Sequence, residues 1–143
     1  MNKKLISIVT PTYNELDNID ELYLRLKKVF NTIDKYNFEI ICIDNNSSDG
    51  TIDKLRKIAS KDKSFKVILN EKNFGHLKSP YYAILNTKSD ATIFISSDLQ
   101  DPPENIPEFI KKWEDGSMVV MAVKSLSEES KLLFQIRSFY YAL

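Results

Sequence analysis

With 143 residues, 43% of them apolar, the chain has the length and the apolar content for one domain with a real core, which excludes a disordered segment. Its 20 Lys and Arg balance 20 Asp and Glu, so the overall charge gives no reason to expect a nucleic-acid partner, and any phosphate binding must come from local charge. The lone cysteine, Cys42, sits in an apolar run and fits a reducing cytoplasm. No zinc-ligand spacing occurs and His76 is the only histidine. The apolar stretch after the first lysines breaks at Thr10-Pro11, too early for a signal peptide, and no apolar run approaches the roughly 20 residues of a membrane span.

In chain order, Leu5 to Thr10 reads as a buried first strand closed by Pro11. Ile19, Leu22, Leu26, Val29 or Phe30, and Ile33 then recur at helical spacing, with Asp17 or Asn18 placed to cap the start. Phe38 to Ile43 is a second strand ending at Asp44, and the loop from Asn45 to Gly50 leads into a helix carrying Ile52, Leu55 and Ile58. Phe65 to Leu69 is a third strand, Asn73-Phe74-Gly75 a turn, and Ser79-Pro80 the cap and first position of a helix to about Asn86. Ala91 to Ile95 is a fourth strand, Pro107 to Trp113 a short helix, Met118 to Val123 a fifth strand, and Glu128 onward a final helix.

This alternation implies an α/β fold with a mainly parallel sheet covered on both faces by helices. Ligands of such sheets bind beyond the carboxyl ends of the strands. Three polar clusters, Thr12 to Glu15, Asp44 to Ser47 and Ser97 to Gln100, each follow a strand directly and so should share that edge. The third carries the densest signal, because an apolar run that reads as a buried strand ends in Ser96-Ser97-Asp98-Leu99-Gln100-Asp101-Pro102-Pro103-Glu104 and the two prolines stop it from continuing as strand. Asp98, Gln100 and Asp101 offer oxygen ligands on a short turn, which suits a hard divalent cation that keeps positions open for phosphate oxygens. With three glycines in the chain, neither a Gly-x-Gly-x-x-Gly nor a Walker loop is present, so a bound diphosphate must be neutralised by other means.

Pro11-Thr12-Tyr13-Asn14-Glu15, Asp44 through Thr51, Asn73-Phe74-Gly75 and Asp98-Leu99-Gln100-Asp101-Pro102-Pro103-Glu104 resemble, in that order, the family 2 glycosyltransferases of GT-A fold. The likeness is greatest to the branch of dolichyl-phosphate mannosyltransferases and bacterial polyprenyl-phosphate glycosyltransferases. It covers essentially the whole chain as one donor-binding domain, 1–143, that stops within a helical pattern and so reads as the N-terminal part of a longer enzyme.

The resemblance implies that Pro11, Tyr13 and Glu15 border the base and ribose of a UDP- or GDP-sugar, that Asp44 and Asn45 bond the base, and that Ser97 joins the donor site. It implies Mg²⁺ or Mn²⁺ on Asp98 and Gln100, with Asp98, Lys124 and Arg137 serving catalysis at the phosphates. Several positions depart from the family pattern: Lys124 stands where arginine is usual, and Ala83 and Ser89 replace small glycines common in the third helix. Asn45 stands where a second acidic residue is usual, and Ser96 where many members carry the first Asp of an Asp-x-Asp pair. The implied chemistry is inverting displacement at the anomeric carbon. A polyprenyl phosphate acceptor is already anionic and needs no general base, whereas a sugar hydroxyl needs a carboxylate base. The place implied is the cytoplasmic face of a membrane, with membrane contact through parts downstream of Leu143, and the isolated chain is expected to be a poor catalyst. Other readings of the same residues are a nucleotide-sugar-binding module without turnover and a GT-A-like nucleotidyltransferase, although the latter needs a glycine- and lysine- or arginine-rich loop after its first strand.

Overall fold

The computed structural model describes residues 3–123. In chain order they form β1 (Leu5–Thr12), α1 (Leu16–Phe30), β2 (Asn37–Asp44), α2 (Thr51–Ala59), β3 (Phe65–Leu69), α3 (Gly75–Leu85), β4 (Ala91–Phe94) and α4 (Ile106–Glu114), the last preceded by a 3₁₀ turn at Pro103–Asn105. The four strands are parallel in the order β3-β2-β1-β4. The chain therefore winds one way from β1 through β3 and returns to the other side of β1, which puts a topological switch point between β1 and β4. This is the expected α/β architecture. The final helix expected from Glu128, and Lys124 and Arg137, lie outside the described residues.

Strand alternation sorts the side chains onto two faces. Ile6, Ile8, Ile40, Cys42 and Phe65 meet Ile19, Leu22 and Leu26 of α1, Leu55 of α2 and Ile106 of α4 on one face. Val9, Ile41 and Ile43 meet Ala83 of α3 on the other. Each fully buried Ile or Leu contributes about 1.5–3 kcal/mol, so the larger cluster under α1 holds the fold. Phe30 stacks on Phe38 with ring centroids 4.3 Å apart and extends this cluster at the end of α1. Burial raises the pKa of the Cys42 thiol, with nearby Asp44 adding to the effect, so it is an inert core group.

Four local expectations are corrected. Helix α1 begins at Leu16, ahead of Asp17 and Asn18, because its first N–H groups are satisfied from another loop: Thr51 Oγ1 accepts the Glu15 N–H at 2.9 Å and Asp49 Oδ2 accepts the Leu16 N–H at 3.1 Å. Helix α3 begins at Gly75, where Asn73 Oδ1 accepts the Gly75 N–H at 2.8 Å, and Pro80 falls inside the helix instead of opening it. Strand β4, read as buried, is the edge of the described sheet, and Phe94 is exposed there. Residues 118–123 form no strand. A strand exists by its ladder, none of the described residues pairs with this segment, and Met118, Val119, Met121 and Val123 remain largely exposed.

At the far side of α1, Asp62 accepts hydrogen bonds from Tyr23 Oη (2.9 Å), Lys27 Nζ (3.0 Å), and Ser64 N (2.8 Å) and Oγ (2.6 Å). Burial pushes this carboxyl up, but the bonds from Ser64, Lys27 and Tyr23 outweigh burial and hold it well below the usual carboxylate range. A depressed folded pKa gives stability that is present above the unfolded value and is lost as pH falls through the folded one. Denaturant unfolding should therefore show stability falling by about 1–2 kcal/mol below pH ~4 on account of this group, and Asp62→Asn should flatten that part of the profile.

Candidate functional site

The loops after β1, β2 and β4 leave the sheet at its carboxyl edge, and the first two are stitched together. Thr12 and Asp44 are register partners at the ends of β1 and β2, and Thr12 Oγ1 donates to Asp44 Oδ2 at 2.9 Å. Asp44 also accepts from Ser47 N at 2.8 Å and from Ser47 Oγ at 2.6 Å. The Asn45 N–H reaches back to the Thr12 carbonyl at 2.9 Å. Asn14 N–H donates to Ser47 Oγ at 2.8 Å, and Ser48 N–H donates to Asn14 Oδ1 at 2.9 Å. The third loop is tied to the first, because Ile95 N–H bonds the Val9 carbonyl at 3.0 Å and Ser97 Oγ donates to the Pro11 carbonyl at 2.8 Å. The edge is thus a continuous polar rim across the switch point.

The expected site residues divide into two groups along this rim. Tyr13, Asp98 and Gln100 are exposed, while Pro11 and Glu15 are half-buried, with Glu15 Oε2 accepting from Asn18 Nδ2 at 2.6 Å. Asp44, Asn45 and Ser97 are buried, at 0%, 4% and 4% exposure, and in this structure their polar groups hold the loops. A carboxylate has about four acceptor positions, so the three bonds that Asp44 accepts among the described residues leave one on Oδ1. Asn45 turns toward the next loop, where its Oδ1 accepts from Asn70 Nδ2 at 3.0 Å and from Phe74 N–H at 3.4 Å. Thr12, Ser47 and Asn70 are organising residues that the sequence did not single out. The one signal for Thr12 and Ser47 was their place within polar clusters that follow strands; Asn70, outside those clusters, had none.

Around the helix starts the same economy holds. Gly50 takes a φ of 99° ahead of α2, a conformation that favours glycine, and Asp49 accepts the Thr51 N–H at 2.9 Å and its Oγ1 at 2.6 Å. Burial raises the Asp49 pKa, but the bonds from Thr51 and the Leu16 N–H prevail and the carboxyl is lowered. This keeps an ionised group between the starts of α1 and α2, where helix dipoles favour negative charge.

The divalent metal implied by the resemblance finds a sparse but suitable donor set. On the turn after β4, Asp98 Oδ1 accepts the Gln100 N–H at 3.1 Å, and both side chains are exposed. Among the described residues no group of three or more His, Cys, Asp or Glu could hold a metal ion. One carboxylate and one amide oxygen fit Mg²⁺ or Mn²⁺ that takes its remaining ligands from phosphate and water. Behind this turn Glu104 is fixed by Arg25, with Nε donating to Oε1 at 2.9 Å; the bond holds the Glu104 carboxyl down at about 2. A cavity of about 640 Å³ runs along the flank of β4 between Phe94, Trp113, Met118 and Met121. Its lining is mostly apolar, and it reaches Asp101 and Pro102 of the loop after β4.

Comparisons with known proteins agree with this geometry. The model of the family "Glycosyl transferase family 2" matches residues 7–140. An undecaprenyl-phosphate 4-deoxy-4-formamido-L-arabinose transferase of Pseudomonas syringae pv. syringae is 34% identical over 128 residues, 89% of this chain and 38% of that protein. A dolichol-phosphate mannosyltransferase of Pyrococcus furiosus is 33% identical over 116 residues, 81% of this chain and 32% of that protein. The chain thus spans little more than a third of the curated relatives it matches. Among solved structures, a mannosyltransferase of Pyrobaculum calidifontis, determined in complex with GDP-Man and Mn²⁺, superposes with a TM-score of 0.63 at 21% identity, covering 99% of this chain and 39% of that one. The shared fold is GT-A. With the family model spanning nearly the whole chain and the motif loops gathered on one sheet edge, the chain belongs to glycosyl transferase family 2.

Proposed function

We propose that this chain is the donor-binding part of a glycosyltransferase that moves a sugar from a UDP- or GDP-sugar to a polyprenyl phosphate, by metal-assisted inverting displacement. The observation that carries the reading is the polar rim at the β1/β4 switch point, with the Asp98 and Gln100 side chains exposed beside loops held by Asp44 and Ser97. Support for the acceptor comes from relatives named for undecaprenyl phosphate and dolichol phosphate, and support for a metal from a neighbour determined with Mn²⁺.

In this reading Pro11, Tyr13 and Glu15 border the base and ribose. Asp44, Asn45 and Ser97 act by fixing the loops that face the donor. Asp98 and Gln100 hold Mg²⁺ or Mn²⁺, which when bound supplies positive charge against the departing diphosphate. Lys124 and Arg137, outside the described residues, add further positive charge at the phosphates. The acceptor phosphate attacks the anomeric carbon, the nucleoside diphosphate leaves, and configuration inverts. Because that nucleophile is already anionic, the polar rim need not supply a base. No helix among the described residues is long and apolar enough to cross a membrane. The proposed place of action, the cytoplasmic face of a membrane, therefore rests on the lipid acceptor.

The test is transfer of labelled sugar from a panel of nucleotide-sugars to polyprenyl phosphate in detergent, using the gene product in its full encoded length. Product should extract with the lipid and should need divalent metal. Transfer only to a sugar hydroxyl would move the acceptor to a glycan, and donor binding with no transfer to either acceptor would make the protein a binding module.

A further inference from the structure

Three residues other than glycine adopt a left-handed backbone among the described residues: Asn14 (φ 56°), Asn46 (φ 65°) and Leu99 (φ 62°). They fall one on each of the three loops of the polar rim. Asparagine tolerates this conformation because its short amide can bond the nearby backbone, as Asn14 Oδ1 does with the Ser48 N–H at 2.9 Å. Leucine has no such compensation, so its Cβ strain must be overcome by something else that holds the turn. The something else is the packing of a partly buried side chain. Leu99 packs against the main core cluster, which includes Ile19, Ile95 and Ile106, while Asp98 and Gln100 on either side of it are exposed.

We propose that Leu99 is a positioning residue for the metal-binding turn: its partly buried side chain, packed against the core, holds the strained backbone that presents Asp98 and Gln100 together at the sheet edge. The proposal rests on the metal-assisted reading given above. A glycine would adopt φ 62° without strain, so the presence of leucine makes the anchored side chain, not the backbone conformation alone, the feature that matters. The bond from Gln100 N–H to Asp98 Oδ1 closes the turn, but it lies on the exposed side and cannot by itself orient the turn relative to the core.

The experiment measures the affinity of UDP and of GDP, each with Mn²⁺ and with chelator, for the parent chain, Leu99→Gly and Leu99→Met, alongside their melting temperatures. For Leu99→Gly the gain in affinity on adding Mn²⁺ should shrink about tenfold while affinity in chelator is unchanged, and Leu99→Met should keep the gain within about twofold of the parent. A parent-like gain in Leu99→Gly would overturn the proposal. So would equal loss with and without metal, which would show a general collapse of the site. A parent chain that gains nothing from Mn²⁺ would instead remove the metal reading itself, and the proposal with it.

Discussion

Asp44→Asn is expected to lower the stability of the chain by about 2–3 kcal/mol and to weaken nucleotide binding tenfold or more, although the side chain keeps its size. The reason lies in the sign of its partners. Thr12 Oγ1, Ser47 N and Ser47 Oγ all donate to this carboxylate, which is fully buried. Asparagine puts an NH₂ group where one oxygen stood: at Oδ1 it opposes the Ser47 N–H, donor against donor, and at Oδ2 it forces the Thr12 and Ser47 hydroxyls to stop donating there and turn to accept, with no water to take up the loss. The damage should spread along the stitching, since Ser47 Oγ also accepts the Asn14 N–H and Asn14 in turn holds Ser48. Urea unfolding and nucleotide titration measure the two effects. Asp53→Asn, at an exposed position of α2, is the control and should change neither. If Asp44→Asn unfolded within about 0.5 kcal/mol of the parent, the carboxylate would not be the organiser of the rim.

Much of this arrangement was legible in the sequence, and the exceptions share a cause. The apolar runs located all four strands to within two residues, and the spacing of Ile19, Leu22, Leu26 and Val29 identified the buried side of α1. Missed features depend on partners distant in the chain. The caps of α1 come from Thr51 and Asp49, more than thirty residues away, so local capping rules pointed to Asp17 or Asn18 instead. An apolar run does not reveal whether its strand is central or at an edge, which is why β4 read as buried, and Met118 to Val123 read as a strand although nothing described pairs with it. At the site, the three polar clusters were evident, but not the direction in which each side chain turns. Asp44, Asn45 and Ser97 face inward to the loops, and Asp98 and Gln100 face outward. Nothing in the composition around Leu99 announces its backbone conformation.

Asp98→Ala is the change expected to affect function most with least effect on the fold. Its carboxylate is exposed and its one bond among the described residues is to the adjacent turn, so stability should stay within about 0.5 kcal/mol of the parent. If Asp98 and Gln100 are the protein ligands of the metal, removing the only carboxylate of the pair leaves a neutral amide, too weak to hold a divalent cation against water. Donor affinity in the presence of Mn²⁺ should then fall to the value seen in chelator, and sugar transfer should fall about 100-fold or more, the scale on which charge stabilisation of a leaving group acts.

The most direct measurement is titration calorimetry of the unmutated chain with UDP- and GDP-sugars, first with Mn²⁺ or Mg²⁺ and then with chelator, repeated for Asp98→Ala. At least one of these donors should bind the parent more tightly with metal, and Asp98→Ala should abolish the difference. Equal affinity with and without metal, or a metal effect that survives Asp98→Ala, would contradict the metal-assisted reading.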